Sequence, residues 1–410
     1  MTDRIIIVGA GHGGVQAAAS LRQEGWKGEL AMVSQDADMP YHKPPLSKAF
    51  LKTPDAGLQL LKGEGFYSDN GVELKLGRTA MSIDRQAATL TLDDGQVLAY
   101  SKLLLATGAG PRRLTCPGHD ARGVFYLRNA NDARALREAK AGARNVAVIG
   151  GGFIGLEAAA TFAQAGKAVT VVEMADRLLG RAVSPEVSAH MKAYHESLGI
   201  TVLTGTALTS IETEGSTVTG VKVGEGQVIA ADMVIVGIGA VPETGLAVAA
   251  GLDTDNGIAV DGRLATSDPA IFAIGDCVSF PHVASGHRLR LESVQNATDQ
   301  ARHAARTMLG ANEPYEAVAW FWSDQGERKL QMAGLAIEAD RRVVAGDTDS
   351  GAFSVYHFKG ERLIAVDSVN RPGDHMLARR ILAAGYSPSE AEIAEGAAAL
   401  KAGLQASQSA

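Results

Sequence analysis

The sequence predicts an α/β fold, with two Rossmann-like dinucleotide-binding domains and a C-terminal α+β domain. Three observations carry this reading. An apolar run, a glycine triplet spaced G-x-G-x-x-G and a helical stretch occur in that order twice, at Gly9 and again at Gly150. Glycine is in surplus, 47 of 410 residues, or about 11% where roughly 7% is usual, and without the G-X-Y period of collagen. From about residue 316 the glycine pattern gives way to the period-two alternation of strands.

The first unit opens on Ile5-Ile6-Ile7-Val8, a β-rich run leading into Gly9-Ala10-Gly11-His12-Gly13-Gly14. The second opens on Val146-Ala147-Val148-Ile149, leading into Gly150-Gly151-Gly152-Phe153-Ile154-Gly155. In the helix after the second triplet, Ile154, Ala158, Phe162 and Ala165 are spaced to share one face. Gly25 and Gly166 stand where helices stop. Leu30-Ala31-Met32-Val33 and Val169-Thr170-Val171-Val172 follow as second strands. One glycine triplet is weak evidence; two, each set between strand and helix, are strong. The first glycine permits a tight turn, the second lets a pyrophosphate approach the backbone, and the third lets helix and strand pack closely. The helix start then offers free N–H groups and a positive dipole end to phosphate. Gly9, Gly11, Gly14, Gly150, Gly152 and Gly155 are therefore candidate cofactor contacts.

The units differ after the second strand. Glu173 stands 23 positions beyond Gly150, where a carboxylate accepts from a ribose 2′-OH and repels a 2′-phosphate, so this site should prefer NADH to NADPH. The first unit has Ser34-Gln35-Asp36 at the corresponding place, leaving Gln35 or Asp36 for the ribose. Two dinucleotide sites suggest FAD in the first domain and NAD in the second. Leu103-Leu104-Leu105-Ala106-Thr107-Gly108 and Val234-Ile235-Val236-Gly237-Ile238-Gly239 each read as a strand ending in glycine. Ile271-Phe272-Ala273-Ile274-Gly275-Asp276 ends in an aspartate placed either to bond flavin ribityl hydroxyls or to cap a helix. The expected domains are 1–110 with 240–315 for FAD, 111–239 for NAD and 316–410 for the α+β domain. In the last, residues 353–358 and 363–366 read as a hairpin, residues 374–384 as a helix, and residues 405–410 as a frayed end.

Composition narrows the function classes. Net charge is -7 with 39 basic and 46 acidic side chains, which argues against a nucleic-acid partner. The apolar stretch 146–166 carries Glu157 and five glycines and reads as a buried strand and helix, so no membrane partner is expected. Cys116 and Cys277 are the only cysteines, too few for a disulfide framework, a CxxC pair or a cysteine-based zinc site. The histidines are scattered, and no metal site is expected. The two cysteines and the short opening apolar run point to a cytoplasmic protein.

These residues resemble a known family, the FAD-dependent NADH:ferredoxin reductases of bacterial oxygenase systems, within the glutathione reductase superfamily. The resemblance runs from Ile5 to about Ser387. Its most specific segments are Pro40-Tyr41-His42-Lys43-Pro44-Pro45-Leu46-Ser47-Lys48, Trp320-Phe321-Trp322-Ser323-Asp324-Gln325 and Glu292-Ser293-Val294-Gln295-Asn296-Ala297. Thiol-using relatives carry a redox cysteine after the second strand. Here residues 43–48 hold none, so reduced flavin must pass its electrons outward directly.

The resemblance implies roles. Gly13 presents its N–H to the FAD pyrophosphate; Lys43, Thr107 and Gly108 lie on the cofactor side, and Lys48 lies near the isoalloxazine. Met81 offers a backbone contact to adenine, and Arg128, Asp276 and Val294 match flavin contacts. Gly152, Ile154, Gly155, Glu157, Glu173, Gly239 and Glu292 match nicotinamide-side positions. Lys48 and Glu157 form the expected catalytic pair, against the alternatives of a structural ion pair or two residues that never meet. Trp320 and Trp322 either cover the flavin edge or fill core. The implied partner is an acidic [2Fe–2S] ferredoxin serving a monooxygenase or a ring-hydroxylating dioxygenase. Arg288, Arg290, Arg302 and Arg306 form a candidate basic patch, with Arg379 and Arg380 as others. The competing functions are an NADH oxidase or peroxidase, disfavoured by the missing thiol, and a non-catalytic flavoprotein resembling apoptosis-inducing factor.

Overall fold

The two apolar runs before the glycine triplets become the central strands of two five-stranded parallel sheets. The computed structural model describes residues 3–409. In the first sheet the order is Ile271–Ala273, Lys102–Leu105, Arg4–Val8, Glu29–Ser34, Val72–Leu76. In the second it is Thr201–Leu203, Ala168–Val172, Asn145–Ile149, Met233–Val236, Val124–Tyr126. In both, the glycine turn leaves the carboxyl end of the central strand, where parallel α/β sheets bind ligands. The inner strands Arg4–Val8, Lys102–Leu105, Asn145–Ile149 and Met233–Val236 are buried on both faces, so they read as nearly unbroken apolar runs.

The third glycines work as expected. A Cβ on Gly14 would overlap the Gly9 carbonyl oxygen, and one on Gly155 would overlap that of Gly150. The first glycines, at φ +110° and +105°, hold a backbone conformation that other residues avoid. The helix after the second turn, Phe153–Gln164, corrects the expectation of one apolar face. Residues 155–162 are buried in an unbroken run, whereas Ile154 is 48% exposed and Ala165 is exposed. The helix is covered by its parallel sheet and also by the strand Trp320–Gln325, so its burial is not confined to one face and takes in the polar Glu157 and Thr161.

That strand begins the C-terminal antiparallel sheet, of order Trp320–Gln325, Arg328–Gly334, Arg362–Val369, Ala352–Lys359, Arg341–Asp347. The last two strands in chain order, Ala352–Lys359 and Arg362–Val369, are the expected hairpin. One face carries Ala333, Tyr356 and Val366 and is covered by the helix Pro372–Ala383. The other presents Ser323, Gln325 and Asp367, which bond Glu157, His195 and the Ser184 N–H. The expected frayed end is instead helical, Ala397–Ser409, because Leu400 and Leu404, one turn apart, are buried in the same cluster. Ala410 lies outside the described residues.

The chain divides into two units. One comprises the segments up to Pro45, Gly57–Gly110 and Ala240–Ala317; the other comprises Leu46–Ala56, Pro111–Gly239 and the chain from Val318 on. The C-terminal sheet thus groups with the second Rossmann-like sheet. Leu46–Ala56, expected with the first domain, groups there too. Lys140 donates to the Leu51 carbonyl at 2.7 Å, Arg137 donates to that of Ala56 at 3.0 Å, and the Arg137 guanidinium stacks on Phe50. No helix among the described residues is long and apolar enough to cross a membrane.

Five histidines, His190, His195, His282, His303 and His375, have pKa values pushed down by burial. His375, edge-on to Trp320, is pushed to about 4, with Arg379 adding to the effect. The unfolded chain binds the proton more readily, so this contribution to stability is complete above about pH 6.5. It is lost as pH falls from there toward 4.

Two measurements check the packing. Gly155→Ala should destabilise the fold by about 1–3 kcal/mol through overpacking, whereas Gly373→Ala, with open space at its Cβ, should stay within about 0.5 kcal/mol; urea titration of both compares them. His375→Phe should keep more of its pH 7 stability at pH 5 than the wild type does, read from urea midpoints at the two pH values.

Candidate functional site

In the first unit the helix His12–Gln23 has Gly11 as its N-cap, with no side-chain cap and no acid in its first turn. In the second, Phe153–Gln164 starts the same way on Gly152. Four other helix starts are capped by side chains, at Asn129, Ser184, Ser293 and Ser389. The space a Cβ would take at Gly11 is bounded only by the Lys43 Cε at 4.0 Å, and at Gly152 by the Gly237 oxygen at 3.8 Å. Uncapped N–H groups, a positive dipole end and open approach suit a pyrophosphate. The residues fit FAD and NADH on that ground.

Register settles how the two units correspond. Gly9 N–H donates to the Val33 carbonyl and Gly150 N–H to that of Val172, both at 2.8 Å. Glu173 is therefore matched in the first unit by Ser34, and Gln35 comes one residue later. Glu173 accepts from the Gly151 N–H at 2.6 Å and from the Ala175 N–H at 2.7 Å, so its carboxylate lies against its own glycine turn. Asp36 accepts from the Tyr41 hydroxyl at 2.5 Å and from the Asp38 N–H at 3.3 Å, while Gln35 is exposed.

Also in the first unit, the Thr107 hydroxyl donates to the Glu243 carbonyl at 2.7 Å, and Gly108 has φ +74°. Asp276 sits within the one-turn helix Gly275–Cys277, whose N-cap is Ile274, so it is not the cap. Gln300 accepts from the Gly275 N–H at 2.7 Å and shapes that turn. Gly13 packs on Ile274 and Ala297. Val294 begins the long helix Val294–Met308, and Met81 is 57% exposed on the strand Ala80–Asp84. Glu292 is exposed and ion-paired with Arg290.

Lys48 and Glu157 do meet. Within the second unit, Lys48 Nζ lies 2.9 Å from Glu157 Oε1. Ser47 donates to Oε2 at 2.6 Å, and Ser323 donates to Oε1 at 2.6 Å. Glu157 is 6% exposed, so its charge is held by one cation and two hydroxyls rather than by water. Sequence reasoning did not single out Ser47, Ser323 or Gln300. The alternation Phe321, Ser323, Gln325 was the available signal for Ser323, since period two sends these three to one face.

The other face of that strand carries Trp320 and Trp322, half-buried, with ring centroids 5.6 Å apart. Arg379 stacks on Trp320 at 4.2 Å. Arg128 also belongs to the second unit, where its N–H donates to the Asp132 carboxylate. Gly239 has φ +108°, and its carbonyl accepts from the Arg112 N–H. The four-arginine patch is largely neutralised. Arg290 pairs with Glu292, Arg302 pairs with Asp299, and Arg288 lies 3.9 Å from Asp255 while donating to two carbonyls. Arg306 is exposed. Cys277 is wholly buried and Cys116 partly so, and burial pushes both thiols up in pKa.

Comparison with known proteins agrees with this geometry. A family model described as pyridine nucleotide-disulphide oxidoreductase matches residues 3–301, and one described as reductase C-terminal matches residues 320–404. The chain is 45% identical to rhodocoxin reductase of Rhodococcus erythropolis over 92% of its own length and 89% of the relative's. It is 40% identical to putidaredoxin reductase of Pseudomonas putida over 93% and 92%. A crystal structure of a covalent putidaredoxin reductase–putidaredoxin complex matches with a TM-score of 0.95 at 37% identity, covering 100% of this chain and 99% of that one. A ferredoxin reductase from Rhodopseudomonas palustris matches with a TM-score of 0.94 at 43% identity, covering 96% and 97%.

Proposed function

The chain belongs to the pyridine nucleotide-disulphide oxidoreductase family, and from that membership we propose that it is an FAD-dependent NADH:ferredoxin oxidoreductase. Its electrons go to a [2Fe–2S] ferredoxin that feeds a monooxygenase or a ring-hydroxylating dioxygenase. The observation that carries this reading is the buried Lys48–Glu157 pair in a chain whose two thiols are both held back from reaction by burial. FAD, when bound, accepts hydride from NADH and releases the two electrons one at a time.

The residues we assign to holding FAD are Gly9, Gly11, Gly13 and Gly14 at the phosphates, with Gln35 or Asp36 at the ribose. Lys43, Met81, Thr107, Gly108, Arg128, Asp276, Val294 and Trp322 are the remaining assignments. Gly150, Gly152, Ile154, Gly155, Gly239 and Glu292 are assigned to NADH, with Glu173 taking the ribose hydroxyls and excluding a 2′-phosphate. Lys48 supplies a fixed positive charge where the reduced cofactor gains electron density. Glu157 orients that ammonium and keeps it from wandering. A reducing cytoplasm is our reading of the location, supported by two unbridged cysteines.

The test is NADH-driven cytochrome c reduction with and without an added [2Fe–2S] ferredoxin. Strong ferredoxin dependence is expected, with NADH preferred to NADPH. Equal rates accompanied by rapid oxygen consumption would make the protein an oxidase, and a stable charge-transfer complex without turnover would make it a non-catalytic flavoprotein. Lys48→Ala should slow flavin reduction in stopped flow by roughly tenfold or more, toward the loss seen when a preorganised donor is removed. A wild-type rate would remove the role given to Lys48.

A further inference from the structure

A second polar chain leads away from Glu157, and the reaction as described does not use it. Ser323 Oγ, which donates to Glu157 Oε1, lies 3.2 Å from Gln325 Nε2. Gln325 Oε1 lies 2.8 Å from His195 Nε2. All three residues are completely buried. Ser323 and Gln325 stand on one face of the strand Trp320–Gln325, and His195 is on the helix Pro185–Ser197.

The direction of every hydrogen bond follows from the carboxylate. An ionised Glu157 only accepts, so Ser323 must donate to it. With its proton committed, Ser323 can only accept from Gln325, which turns the amide NH₂ toward it. The amide carbonyl then faces His195, and His195 must carry its proton on Nε2. The three dipoles therefore line up with their positive ends toward Glu157, an arrangement in which each bond polarises the next. His195 Nδ1 is buried without a partner, and with the proton on Nε2 it is an acceptor lone pair left unused. Burial lowers the His195 pKa and keeps the ring neutral.

Stability does not account for this chain. A buried polar network with an unsatisfied end is poorer than apolar packing of the same volume. Its only charged terminus is Glu157, and Lys48 is the cation against that carboxylate. We propose that Ser323, Gln325 and His195 are positioning residues that fix the Glu157 carboxylate, and through it the Lys48 ammonium, in the orientation flavin reduction requires. This rests on the role given above to the Lys48–Glu157 pair.

The experiment is a double-mutant cycle read by stopped-flow reduction of the FAD-loaded enzyme with NADH. Ser323→Ala, which removes a single oxygen, should lower the limiting rate about tenfold, within the coupling range of contacting groups, and leave the NADH dissociation constant unchanged. Ser323→Thr, which keeps the hydroxyl, should restore the rate. In a Glu157→Gln background, Ser323→Ala should change the rate less than about twofold. Gln325→Met is the second variant, with the same expected coupling. Nitrogen-15 spectra of histidine-labelled holoenzyme should show His195 neutral with its proton on Nε2. A wild-type rate in both folded single variants would overturn the inference, as would equal rate losses with and without Glu157 or a proton on Nδ1. Wild-type enzyme that NADH does not reduce would instead overturn the functional reading on which it rests.

Discussion

Glu157 is the one charged residue in a helix that is buried from residue 155 to 162. A carboxylate there loses its water, and the attraction of one cation seldom repays that loss without further hydrogen bonds. The further bonds come from far away in sequence: Ser47, 110 positions earlier, and Ser323, 166 positions later. This one need explains much of the architecture of the second unit. The stretch Leu46–Ala56 leaves the domain expected from its place in the chain, and the C-terminal sheet turns Ser323, Gln325 and Asp367 toward the helices Phe153–Gln164 and Pro185–Ser197. Removing any single partner would leave a buried charge partly uncompensated, a situation that costs about 3–5 kcal/mol when an ion pair is broken.

The two glycine turns are built on one plan and diverge at one register position. In both, the first glycine N–H is tied to the carbonyl of the strand residue just before that position. In the second unit this position holds Glu173, whose carboxylate folds back onto the Gly151 N–H. In the first it holds Ser34, buried, with Gln35 beyond it and Asp36 already engaged by Tyr41. A site ending in a carboxylate rejects a 2′-phosphate by charge, whereas a site ending in serine and an amide has no such filter. The divergence supports the proposed placing of NADH at the second unit and of FAD at the first.

Both parallel sheets and their glycine turns were legible because they rest on local chemistry: an apolar run, a φ that only glycine accepts, and a helix start without a cap. The hairpin was legible for the same reason. The helix Phe153–Gln164 was misread as one-sided because a run of alanines looks like a weak face when the covering strand lies far along the chain. The final helix was missed because Leu400 and Leu404 are only two apolar anchors in a stretch rich in alanine and polar residues. Lys48 and Glu157 were found through resemblance, since nothing in their spacing says they touch. Ser47 and Ser323 carry no signal of their own; a serine becomes a buried carboxylate ligand only through contacts that the fold creates.

The reason for placing the carboxylate at such depth follows from the lysine. A lysine side chain has four rotatable bonds, and ordering it costs up to about 2 kcal/mol of rotamer entropy. An exposed acid would recover little of that, since a solvated pair is worth about 0–1 kcal/mol. Glu157 is shielded from water, and its own position is fixed by Ser47, Ser323 and the residues behind them, so its pull on Lys48 is both stronger and directional. The ammonium is then held in one place by the fold itself, and under the role proposed for Lys48 no reorganisation is required when charge builds on the cofactor. The burial that makes Glu157 costly to the fold is the same property that suits Lys48 to the role proposed for it.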